Sequence, residues 1–196
     1  MFRKIAVLVM LIILWETGIY FWVLNNTPEA LYQLSARYSA RTSFVLITII
    51  LLWIGATGLR KIYRSAFKRL HLITLILLLA VNHLIHFGFL YANLQPENFG
   101  QFILKNHLPA LLYVALMISP WLLFSKKTLS TPLYWGILVF LIGLEIIFLQ
   151  TYVGRLFSPK PLGSPPYFYI GCIVLIGVTL VLNIYRVVTE HLKGAN

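Results

Sequence analysis

The chain has 196 residues, of which 60% are hydrophobic and 11% charged, with a mean hydropathy of +0.85. That composition excludes an ordinary soluble domain, and the apolar runs use so much of the chain that no soluble catalytic domain fits beside them. A formal charge of +11 would suit nucleic acid, but the basic residues are scattered between apolar runs, so the lipid bilayer is the expected partner and nucleic acid is not.

A membrane-spanning helix takes ~20 apolar residues. Six such runs can be placed, at Ile5–Leu24, Ser43–Leu59, Leu70–Leu90, Leu108–Phe124, Leu133–Val153 and Tyr167–Val187. The expected fold class is therefore an all-α membrane protein, a single six-helix transmembrane bundle over residues 1–196. Eleven of the 16 basic residues fall on one side of the zigzag: Arg3, Lys4, Arg60, Lys61, Arg64, Lys68, Arg69, Lys126, Lys127, Arg186 and Lys193. Arg37, Arg41, Lys105, Arg155 and Lys160 fall on the other. The positive-inside rule then predicts cytoplasmic N- and C-termini, and the Arg60–Arg69 loop is suited to anionic lipid.

The first run begins Met-Phe-Arg-Lys like a signal peptide, but it continues past Glu16 to Leu24 without a small-residue cleavage site and reads as a retained helix. Glu16 lies near its middle. A carboxyl at that depth is either held protonated or paired with a cation or metal, and the plain structural reading is the neutral one. Thr27 suits an N-cap and Pro28 a first helical position, with a short surface helix through Leu31 and Leu34 leading to the second span. In that second span Gly55 and Gly58 permit close helix contact.

The third span carries His71, Asn82, His83 and His86. At 100° per residue from His71, Asn82 falls near ~20°, Asn93 near ~40°, His86 near ~60° and His83 near ~120°, one polar stripe on a leucine-rich helix. Polar groups at membrane depth face other helices or a bound cofactor, although Asn82 and one histidine also suit simple helix-to-helix hydrogen bonding. His107 is expected solvated at the outer end of the fourth span, which Pro120 kinks or ends. The fifth span holds Glu145, and proline-rich Ser158–Pro166 is expected to be a stiff connector. In the sixth, Cys172 is the only cysteine, which excludes an internal disulfide or thiolate cluster.

By helix rise, Glu16, His83 and Glu145 lie within ~5 Å of the midplane and His86 about 8 Å outward. Glu16, His83, His86 and Glu145 together could hold Fe, Mn or Zn. The alternative is haem: His71 and His86 are ~22 Å apart along one helix, suited to an inner and an outer haem. No phosphate-cradling glycine loop or nucleophile elbow is present, and with no aspartate and five glutamates, acid-base chemistry has few candidates beyond Glu16 and Glu145.

Several short stretches together resemble the ferric-reductase-like transmembrane domain, and within it the haem-binding membrane subunit of the bacterial periplasmic methionine sulfoxide reductase system. They are Pro28-Glu29-Ala30-Leu31, Arg37-Tyr38-Ser39-Ala40-Arg41, Leu59-Arg60, Lys68-Arg69-Leu70, His83, and the Pro120–Ser125 end of the fourth span. The likeness covers about Pro28 to Tyr152. It implies a multipass electron-transfer subunit of the bacterial inner membrane, passing electrons from a flavin or quinol to an acceptor outside through b-type haem. By carry-over His83 is the haem ligand, with His86 as a register alternative and His71 as an inner candidate. Trp135–Tyr152 has no counterpart of the family's fifth-helix histidines. A second reading from the same residues is a non-catalytic accessory or assembly subunit that requires a partner protein; a third is an intramembrane metal-binding protein.

Overall fold

The computed structural model describes residues 2–94, 96–158 and 164–194. Lys160 and most of the Ser158–Pro166 connector lie outside the described residues, as do the side chains of His191 and Lys193. Every regular element among the described residues is helical: α1 (Phe2–Asn26), a 3-10 turn (Pro28–Ala30), α2 (Leu31–Thr57), α3 (Leu59–Arg64), α4 (Ala66–Leu94), α5 (Pro96–Lys105), α6 (His107–Ser125), α7 (Thr131–Leu156) and α8 (Pro166–Gly194). Six are long and apolar enough to cross a membrane: α1, α2 with its preceding turn, α4, α6, α7 and α8.

The helix boundaries follow local chemistry. Thr27 occupies the cap position before Pro28, but its side chain makes no capping bond. Instead of a separate surface helix there is one 3-10 turn, and α2 starts at Leu31, twelve residues before the expected Ser43. Gln33, Arg37 and Arg41 lower the hydropathy of that stretch without interrupting the backbone, because helix continuity needs propensity rather than apolarity. Gly58 ends α2 at φ +88°, a left-handed conformation that disfavours a Cβ. Ser65 Oγ accepts from Lys68 N–H at 3.4 Å, and Ser130 Oγ accepts from Leu133 N–H at 3.4 Å to cap α7. Pro120 is buried inside α6, which continues to Ser125.

The chain divides into two compact units, the first of residues 1–46 and 73–125, the second of 47–72 and 126–196. Helices α2 and α4 contribute to both. In the first unit, α2 buries Ser35, Ala36, Ser39, Ser43 and Phe44, and α4 buries Ile73, Ile76, Leu79, Ala80, Asn82, His83 and His86. α6 adds Leu116, Pro120 and Leu123. Among the described side chains of α1 only Glu16 and Val23 are buried, seven residues apart and so on one face.

The second unit is built on an α7–α8 seam. α7 buries Tyr134, Leu138, Leu141, Glu145, Phe148 and Tyr152, and α8 buries Tyr169, Cys172, Ile176, Thr179 and Asn183, each in steps of three or four. At Gly55 a Cβ would lie 3.0 Å from Leu182 Cβ, so the glycine lets α2 approach α8 there. At Gly58 a Cβ would collide with Glu190 Oε1 and lie 3.3 Å from Arg186 Nε, so side chains of α8 close on this glycine as well.

Candidate functional site

The polar side chains of the first unit meet on one face of α2. Ser35, Ser39 and Ser43 are spaced by four residues, so they stack on one helix face, and all three are completely buried. From α4, Asn82 Nδ2 donates to the Ser39 carbonyl oxygen at 3.0 Å and to Ser43 Oγ at 2.8 Å. Ser43 Oγ is in turn 2.9 Å from His83 Nδ1. One turn further, His86 Nδ1 lies 2.9 Å from the Ala36 carbonyl oxygen. A carbonyl can only accept, so Nδ1 carries the hydrogen there and a neutral His86 has its lone pair on Nε2.

The two imidazoles are neighbours, with ring centroids 5.2 Å apart at 50°. Tyr113 from α6 lies over His83 at 4.1 Å between centroids, and Phe87 packs edge-on at 5.9 Å. His83 is 2% exposed, and its Nε2 has no hydrogen-bond partner. From α1, Glu16 is 1% exposed and faces the Ser39 and Thr42 hydroxyls, but neither carboxyl oxygen makes a hydrogen bond of normal geometry. Ser35 Oγ, Ser39 Oγ and Asn82 Oδ1 are also buried without partners.

Ser43 decides the state of His83. Its oxygen already receives Asn82, so its single hydrogen can go to His83 Nδ1, which puts the ring hydrogen on Nε2. In the opposite setting His83 Nδ1–H donates to Ser43, and Nε2 presents a lone pair. The site thus offers an imidazole nitrogen that either accepts or donates, a hydroxyl that switches with it, and a buried carboxyl.

The remaining expected site residues lie elsewhere. His71 is exposed at the start of α4, its Nδ1 donating to the Phe67 carbonyl oxygen at 2.7 Å, and Asn93 is exposed near the other end. The polar stripe is therefore buried only over Asn82–His86. His107 is exposed, 3.4 Å from the Leu104 carbonyl oxygen. Glu145 belongs to the second unit, where Thr179 donates to its Oε1 at 2.5 Å. Among the described residues no three His, Cys, Asp or Glu side chains form a metal-ligand group, and Glu145 belongs to a different unit from Glu16, His83 and His86.

Residues that sequence reasoning missed are Ser35, Ser39 and Tyr113. The four-residue serine spacing was the available signal for the first two, but it preceded the assigned start of the second span. For Tyr113 no signal existed. A separate groove of about 780 Å³, lined by Trp15, Trp22, Tyr38, Arg41 and Thr42 among others, runs between α1 and α2. Trp15 Nε1 donates to Thr42 Oγ1 at 3.1 Å, and Arg41 lies 4.8 Å over the Tyr38 ring.

No family model, curated protein or solved structure matches the chain.

Proposed function

We propose that this chain is a multipass electron-transfer subunit of a bacterial inner membrane, with cytoplasmic termini, in which His83 supplies a ligand to a b-type haem. The observation that carries the reading is the orphaned His83 Nε2, buried in a helix long and apolar enough to span a bilayer. An axial imidazole uses Nε2 for iron and fixes its ring through Nδ1, as the Ser43 contact does here. His83 would therefore supply one imidazole ligand to haem, which when bound would provide one-electron transfer. Asn82 holds Ser43, Ser43 bonds His83 Nδ1, and Tyr113 stacks over the ring. Absorption spectra of detergent-purified protein from haem-replete cells test this. A Soret band lost in His83→Ala and kept in His107→Ala is expected; a colourless wild type overturns it.

A second reading, an accessory subunit of a larger membrane complex, is favoured by the outer surface of α1. Val7, Met10 and Phe21 are each more than half exposed there, a surface that serves lipid or a partner helix equally. Gentle-detergent pulldown with a stoichiometric partner supports it, and isolation only as a monomer with its own activity contradicts it.

A further inference from the structure

The groove between α1 and α2 lies wholly within the first unit. Trp15 and Trp22, which wall it, are 57% and 52% exposed, so it opens away from the protein interior. Both rings are held in place: Trp15 Nε1 by Thr42, and Trp22 edge-on against Tyr38 at 5.5 Å between centroids. The Arg41 guanidinium rests over the same Tyr38 ring, so a cation and an aromatic pair stand together at one end of the groove. Ile12 and Val45 stand at the other.

The dimensions of the groove narrow what can occupy it. From Trp22 to Ile12 it runs ~15 Å along α1 at the usual helical rise, half of the ~30 Å hydrocarbon core. That is the depth of one leaflet rather than of a whole span. Its volume of about 780 Å³ over that length gives a mean cross-section of about 50 Å². A helix with its side chains fills about 80–110 Å², so a partner span is too wide for the groove, whereas extended hydrocarbon chains are not. Trp22 lies just over a turn from the end of α1 at Asn26, the level at which tryptophan and tyrosine meet lipid headgroups. Among the described residues that line the groove Arg41 alone is charged, and a guanidinium fork matches the oxygens of a phosphate.

We propose that this groove binds one phospholipid of net negative charge, with its phosphate on Arg41 at the Trp22–Tyr38 end and its acyl chains running down to Ile12 and Val45. The proposal needs no haem and stands apart from the electron-transfer reading. The test uses the full chain with Trp53, Trp121 and Trp135 changed to phenylalanine, which leaves Trp15 and Trp22 as the only tryptophans. It is reconstituted in phosphatidylcholine vesicles that carry a small share of chain-brominated phosphatidylglycerol or of chain-brominated phosphatidylcholine, because bromine quenches a tryptophan that it touches. The expected result is about fivefold stronger association of the brominated phosphatidylglycerol, the preference that one arginine gives near a membrane surface. That preference falls to parity in Arg41→Gln and is kept in Lys105→Gln, a cation outside the groove. Gly18→Leu, placed on a groove residue where an added Cβ meets nothing within 4 Å, abolishes it by filling the space, which keeps the proposal falsifiable if Arg41→Gln does not accumulate. If the chain with two tryptophans does not accumulate, native mass spectrometry of the unaltered sequence reads the same preference as retained lipid. Equal association of the two lipids, a preference that survives Arg41→Gln or Gly18→Leu, or tryptophans shielded from both lipids, as a protein helix seated there would leave them, overturns the proposal.

Discussion

The two units use the same polar vocabulary to different ends. Each buries one glutamate and one asparagine among hydroxyls. In the second unit each is tied to the fold through one atom: Thr179 donates to Glu145 Oε1 and Asn183 Nδ2 reaches the Leu51 and Thr179 carbonyls at 3.0 and 2.8 Å, while Glu145 Oε2 and Asn183 Oδ1 have no partner; Arg186 holds the Gly55 and Ala56 carbonyls at the end of α2. Tyr134 donates to Glu190 at 3.1 Å, with the Arg60 guanidinium 5.3 Å from its ring. In the first unit the asparagine and one serine are spent on orienting His83, and the carboxyl faces hydroxyls without bonding them. Polar groups that clasp helices stabilise by their bonds. Polar groups left open at membrane depth are costly and mark a candidate site.

Substitutions can break that contrast. The largest effect on stability is expected from Thr179→Val, which leaves the Glu145 carboxyl without its donor. Loss of ~1–3 kcal/mol follows from stranding a buried acceptor, read as a lower unfolding temperature in detergent, and a change near zero would deny the clasp. Gly58→Ala should cost about 1–2 kcal/mol, because the alanine must hold φ near +88° and displace Glu190. Ser39→Ala should cost less than ~0.5 kcal/mol, read in the same unfolding measurement, because the hydroxyl it removes has no bond of normal geometry.

The smallest effect concerns Tyr63 on α3, outside the spans. Burial pushes its phenol up to about 12, against the opposing pull of the Arg69 guanidinium. The neutral form is thus favoured in the folded state, so its contribution is fully present below pH ~10 and is lost as pH rises from ~10 toward ~12. Spectrophotometric titration of the tyrosinate band should show a late-titrating fraction that is smaller by one phenol in Tyr63→Phe. That variant should be within ~0.5 kcal/mol of wild type, since the hydroxyl is buried without a partner.

Most of the fold was readable from residues. Hydropathy alone located all six candidate spans, and Gly55 was rightly assigned to close helix contact. Polar Leu31–Thr42 defeated the reading because a span limit drawn on hydropathy stops where charged residues begin, whereas the helix does not. The site was half legible. Helical phase picked out Asn82, His83 and His86 because the residues that face α2 share an arc, but His71 lies in the same arc and is exposed, since the periodicity of one helix carries no information about where its neighbours end. Depth agreement likewise grouped Glu16 with Glu145, which separate units employ. The partners themselves, Ser43 for His83 and Thr179 for Glu145, are 40 and 34 residues away in sequence, and only the packing of helices selects them.

The most direct test of the account is a titration of purified apoprotein with haem, followed at the Soret maximum, in wild type, His83→Ala and Thr179→Val. The account predicts saturable binding by wild type and by Thr179→Val, near one haem per chain as expected of a single imidazole site, and none by His83→Ala. Equal binding by all three, or none by wild type, would contradict it.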